Sequence, residues 1–211
     1  MAVREPFNGF SHLFGALLSV IGLVLLIKRA LSYGSVTHLV SFIIFGVSLI
    51  LLYTASALYH LLLISDRVTK ILRYIDHMMI YVLIAGTYTP VCMISLQGKQ
   101  GTILLISVWM LAAAGIVVTR FWLNAPRYIS TLIYAAMGWL VIVTLPQLIP
   151  ALTIPGFAWL LAGGVFYSIG AIIYGLKWPN LPSGLLGFHE IFHLFIIAGS
   201  ICHYWMIFKF V

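Results

Sequence analysis

The chain is 211 residues long, with 11 Lys and Arg against 4 Asp and Glu, a formal net charge of +7. Hydrophobic residues make up 63% of it and charged residues only 7%, where an ordinary soluble domain carries about 25%, and this excludes a water-soluble globular fold. The basic residues stand singly between apolar runs and form no stripe for a phosphate backbone to follow, so the charge excludes nucleic acid as a partner and fits insertion among anionic membrane lipids.

Stretches of the roughly 20 apolar residues needed to cross a bilayer recur along the whole chain. The segment before the first carries Arg4 and Glu5, and no small-residue cleavage site follows that run, so it is expected to be a retained span. Hydropathy predicts spans at 10–30, 38–63, 71–96, 102–122, 128–146, 157–176 and 185–208. Turn chemistry or charge separates them at Ser65-Asp66-Arg67, at 97–101, at Asn124-Ala125-Pro126 and at 178–182. The break at 147–156 is weaker, marked by Pro146, Pro150 and Pro155-Gly156. The expected fold is an all-α integral membrane protein, one domain over 1–211 built as a seven-transmembrane-helix bundle. Ala112-Ala113-Ala114-Gly115 and Gly163-Gly164 are expected to let helices approach closely. Cys92 and Cys202 lie in apolar runs and read as small buried hydrophobes.

With seven spans, one side receives seven Lys and Arg: Arg4, Arg67, Lys70, Arg73, Arg120, Arg127 and Lys177. The other receives four: Lys28, Arg29, Lys99 and Lys209. The positive-inside bias puts the N-terminus in the cytoplasm and the C-terminus outside.

Nine of the eleven His, Asp and Glu residues fall on that same N-terminal side, and only His38 and His203 belong to the other half. His60, near the end of the second span, Asp76, early in the third, and His189 and His193, early in the last, lie roughly 6–12 Å deep at 1.5 Å per residue. Ionisable groups at that depth are functional candidates. His189 and His193 stand at i and i+4 on one helix face, the spacing that lets two imidazoles grip one ion. Ser56 and His60 repeat it on the second span, and Asp76 adds a carboxylate from the third. Three His with a carboxylate or water suit tetrahedral Zn²⁺, and iron or manganese accept the same donors. His12, His38 and His203 read as ordinary membrane histidines, hydrogen-bonded to backbone or sitting at the interface. His77 lies some 100° around its helix from Asp76 and is open either way. Asp66 reads as a solvated loop charge, Glu5 as an ordinary N-terminal helix charge and Asn8 as an N-cap.

These residues stand in segments that resemble the bacterial haemolysin III proteins, within the wider group of progestin and adipoQ receptors. The segments are Glu5-Pro6-Phe7-Asn8, Tyr53 to His60 with its Ser56, Asp76-His77 continuing to Ile84–Pro90, and His189 to His193, and they run from the first span to the last. The resemblance implies a seven-helix bundle with zinc near the cytoplasmic face of a bacterial inner membrane. It implies His60, His189 and His193 as the ligands, Asp76 as the holder of a zinc-bound water and Ser56 as a nearby polar partner. It also implies ceramidase-like hydrolysis, since related eukaryotic receptors look like lipid-amide hydrolases.

The leading expectation is therefore a metal-dependent hydrolase of a lipid amide or ester, with membrane lipids as partners and Asp76 and Ser56 as catalytic groups. The His189-Glu190-x-x-His193 segment also fits the zinc-protease pattern, in which Glu190 is the base, although no Asp-Gly element supplies a third ligand. A third expectation is a receptor-like or membrane-homeostasis protein in which zinc is structural. A cytolysin is a fourth, weakened by the absence of a polar stripe for a wide pore.

Overall fold

A computed structural model describes residues 3–122, 126–181 and 186–211. Every regular element among them is helical. The helices are α1 (Pro6–Tyr33), α2 (Val36–Leu61), α3 (Asp66–Pro90), α4 (Lys99–Phe121), α5 (Arg127–Trp139), α6 (Leu145–Leu176) and α7 (Phe188–Phe210). A π-helical turn, Val91–Ser95, extends α3, and a 3₁₀ stretch, Leu140–Thr144, joins α5 to α6.

Six helical stretches among the described residues are long and apolar enough to cross a membrane. One of them, Tyr128–Leu176, has 49 residues and would extend over 70 Å if straight, about twice the hydrocarbon core. It is not straight. Thr153 has φ 64° and ψ 164° inside it, and beyond that residue the chain folds back. Trp139 Nε1 donates to Ser168 Oγ at 2.9 Å, and Gly175 lies beside Thr131, so α5 and α6 run antiparallel. The break falls within the prolines at 146–155, yet helix continues through Pro146, Pro150 and Pro155 and only Thr153 leaves it.

The outer surface is apolar, as for a protein whose solvent is lipid. On α1 the large residues Phe14, Leu17 and Ile21 face outward, each more than half exposed. Its buried face instead carries Asn8, His12, Gly15, Ser19 and Gly22. This inside-out pattern directs the polar groups of α1 into the bundle. Packing of α1 on α2, α2 on α3, α3 on α5, α5 on α6, α6 on α7 and α7 on α1 closes a ring, while α4 stands outside it against α3. Close approach is visible at Gly115, where a methyl group would overlap the Tyr81 ring, and at Gly163, packed on the His203 ring. Gly164, by contrast, meets nothing within 4 Å. Cys92 and Cys202 are free and buried.

Candidate metal centre

Three helix ends meet at one pole of the ring. The last turn of α2 carries His60, and the first two turns of α7 carry His189 and His193, one helical turn apart on the inward face. A ligand atom from each of these three imidazoles lies within 4.8 Å of the other two. The ring centroids stand 4.9–5.2 Å apart, and His60 and His193 are almost completely buried.

The start of α1 completes the arrangement. Glu5 Oε2 accepts a 2.6 Å hydrogen bond from His60 Nδ1–H, and the Glu5 backbone N–H donates to the His60 carbonyl at 3.0 Å. His60, followed by Asn8 and Arg4, draws the Glu5 carboxyl down to about 2 against the opposing effect of its burial, so the carboxylate is ionised and only accepts. With Nδ1 committed as donor, Nε2 is the His60 nitrogen left for an ion. Arg4 pairs with Glu5 Oε1 at 3.3 Å and lies over the Tyr59 ring. Glu5 is thus far more than a terminal helix charge.

Asn8 is not an N-cap. The helix begins at Pro6, a residue whose missing N–H and fixed φ suit a first helical position, so Asn8 lies inside its first turn. There it is buried, and its Nδ2 donates to Glu5 Oε2 at 3.2 Å and to Glu190 Oε1 at 3.3 Å. Glu190 Oε2 in turn accepts from the Gly187 backbone N–H at 2.9 Å, satisfying a free donor at the start of α7. Both Glu190 oxygens are therefore engaged in joining and capping helices.

Two histidines expected to be ordinary depart from that expectation. His12 is buried, stacks on His193 with ring centroids 3.8 Å apart, and has no hydrogen-bond partner at either nitrogen. His203 is also buried, against Tyr167, with Nδ1 unpartnered; it faces the ring interior because Gly163 gives it room. His38 does behave as expected, with Nδ1 2.9 Å from Ser35 Oγ. Asp66 is the first residue of α3, where a carboxylate suits the helix dipole, and not a loop residue.

The three imidazoles open into a cavity of about 450 Å³ inside the ring. Ser56, Asp76, His77 and His12 line it beside them, and Leu52, Ile80, Leu83, Ile84 and Phe157 make much of the wall apolar. Asp76 lies ten residues into α3, deeper than a span starting at 71 implies. Its Oδ2 is 3.5 Å from His77 Nδ1, whose N–H donates to the Arg73 carbonyl at 2.8 Å. Asp76 shares the cavity but stands apart from the three-imidazole cluster.

The donor chemistry fits a resident ion. Three converging imidazoles suit Zn²⁺, and iron or manganese as well. One ligand's far nitrogen is held by a carboxylate, the outer-shell pattern of metal-binding histidines. His193 is almost completely buried, with its imidazole among the other rings of the cluster. Sequence reasoning found the three imidazoles but not Glu5, Asn8 and His12 beside them. A signal was present in their i, i+3, i+7 spacing, which puts Asn8 and His12 on one face of an otherwise apolar helix and Glu5 just ahead of it.

Known proteins resemble this chain over nearly its whole length. The family described as haemolysin-III related matches residues 1–204. Hemolysin-3 of Bacillus cereus is 43% identical over 197 residues, covering 93% of this chain and 87% of that protein. The Hemolysin-3 homolog of Bacillus subtilis (strain 168) is 45% identical over 198 residues, 93% and 89% respectively. Monocyte to macrophage differentiation factor of Homo sapiens is a distant relative, 22% identical over 214 residues, 96% of this chain and 82% of its own. With near-complete coverage in each case, the chain belongs to the haemolysin-III-related family of helical membrane proteins.

Proposed function

We propose that the protein is a metal-dependent hydrolase of lipid amides or esters in a bacterial inner membrane, with Zn²⁺ as the favoured ion. The observation that carries this reading is the opening of three clustered imidazoles, His60, His189 and His193, onto a largely apolar cavity of about 450 Å³. Counting the folded-back stretch 128–176 as two crossings gives seven. The charge bias then places the N-terminus, and this pole of the ring, on the cytoplasmic side.

His60, His189 and His193 would hold the ion, and Glu5 fixes the tautomer and orientation of His60. A divalent ion bound there supplies Lewis acidity toward a carbonyl and acidifies water. Asp76, in the cavity wall, orients the attacking water, takes its proton and passes it to the leaving amine or alcohol. The Ser56 hydroxyl donates to the carbonyl oxygen as negative charge develops on it. The acyl chain lies along α3, whose residues from Asp76 to Val91 border the cavity over roughly 22 Å at 1.5 Å per residue.

Two alternatives fit less well. A zinc protease needs Glu190 as its base, but both carboxylate oxygens hold helix ends together. A closed structural site needs four protein ligands, and Asp76 does not join the three imidazoles.

Metal-loaded protein incubated with bacterial lipid extract is expected to release fatty acid, and the His193→Ala variant is not. Equal release from both would sink the hydrolase reading. Elemental analysis should find one ion per chain in the wild type and none in His60→Ala or His189→Ala.

A further inference from the structure

On the outside of the ring, α3 and α4 touch where Tyr74 OH donates to the Ile116 carbonyl at 3.5 Å. From there they diverge toward the pole that carries His60, leaving a cleft of about 470 Å³. Arg67, Lys70 and Tyr74 occupy one face of α3 at i, i+3 and i+7, and Arg120, Phe121 and Trp122 border the cleft from the end of α4. Three cations therefore converge on one concave surface. Arg67 also sits in the first turn of α3, where the helix dipole opposes a positive charge.

One carboxylate, Asp66, lies near them, next to Arg67 and one helical turn before Lys70. The sequence has only four. Glu5 and Glu190 are engaged in the network around His60 and α7, and Asp76 borders the inner cavity. Asp66 is exposed, does not border the cleft and makes no ion pair among the described residues. Three cations beside one exposed carboxylate that pairs with none of them leave an excess of positive charge, which calls for an anion from outside the chain. The cleft also has an apolar side. Phe121 is 85% exposed and Trp122 about half exposed, the aromatic character of helix ends at headgroup level. A soluble anion makes no use of those rings, whereas a phosphate attached to acyl chains does.

We propose that this cleft binds the phosphate headgroup of an anionic phospholipid, with Arg67, Lys70 and Arg120 on the phosphate and Phe121 and Trp122 along the upper acyl chains. Basic pockets between membrane helices recognise such headgroups through the same combination of charges. The site is separate from the inner cavity, since α4 contributes nothing to that cavity's wall.

The test uses purified full-length protein in detergent, titrated with phosphatidylglycerol, with phosphatidylcholine or with inorganic phosphate, and read by native mass spectrometry and thermal melting. Phosphatidylglycerol should remain bound and raise the melting temperature by several degrees, with phosphatidylcholine at least five-fold weaker. An Arg67→Gln/Lys70→Gln/Arg120→Gln variant should lose that preference, and Arg120→Gln alone should weaken it. Lys28→Gln/Lys99→Gln, at the opposite pole, should keep it. A triple variant that melts like wild type without lipid yet retains the preference would overturn the proposal. So would equal retention of the two lipids by wild type, or stabilisation by inorganic phosphate matching that by phosphatidylglycerol. Should the triple variant fail to fold, an Arg120→Gln protein with unchanged preference would overturn it as well.

Discussion

A carboxylate that accepts a proton-bearing Nδ1 decides which edge of an imidazole faces the rest of a site. Glu5 does this for His60 over 2.6 Å and is tied to the same residue through its own backbone. Outer-shell partners of metal-binding histidines typically contribute 10–100-fold to affinity. Glu5→Ala should therefore weaken metal binding by about that factor in chelator competition, and Glu5→Gln, which keeps an acceptor, should lose less. Asn8→Ala should show a smaller loss, because Asn8 positions Glu5 and does not touch His60. His60, His189 and His193 were legible in the sequence because i, i+4 spacing and shallow depth are local properties. Glu5, Asn8 and His12 were not, because their closeness to the cluster depends on how α1 packs against α7. That contact joins residues 182 apart, and no hydropathy pattern records it.

At the scale of elements, the fold-back within 128–176 rests on a Thr in an uncommon conformation. Thr153 occupies φ 64°, ψ 164°, a region essentially reserved for glycine, where a residue with a Cβ costs on the order of 1–3 kcal/mol. Thr153→Gly should raise the melting temperature, and a fall would show that the hydroxyl or methyl group is worth more than the strain. The sequence marked this break with prolines, yet Pro146 sits in the first turn of α6 and Pro150 and Pro155 flank the break from within helix; the residue that breaks the helix carries no breaker signature. Helix contacts are testable in the same way. Gly115→Ala drives a methyl group into the buried Tyr81 ring and should cost roughly 1–3 kcal/mol. Gly164→Ala meets open space and should be neutral or slightly stabilising, gaining up to about 1 kcal/mol. Runs of small residues revealed that close approach occurs but not which glycine makes it.

For the whole molecule, composition and hydropathy made the helical membrane class legible, because only helices and closed barrels satisfy the backbone in lipid. The ring with α4 outside it was not legible, since all spans are similarly apolar and their order around the cavity depends on shape. An ion shared by α2 and α7, with α1 bracing it, should stabilise this ring. Chelation should therefore lower the melting temperature of wild type; an ion at 100 times its dissociation constant contributes about 2.7 kcal/mol. His189→Ala should show no response to the chelator, and an equal response would refute the shared site. The placement of the ligands also bears on biosynthesis. Glu5 precedes α1 and His60 ends α2, whereas His189 and His193 belong to α7, which is synthesised after them. Until α7 is inserted, the pole has only one of the three clustered imidazoles and an open flank between α1 and α6. An ion at this centre would then be captured only once α7 is in place, and a chain stalled before α7 would be marked by an open pole.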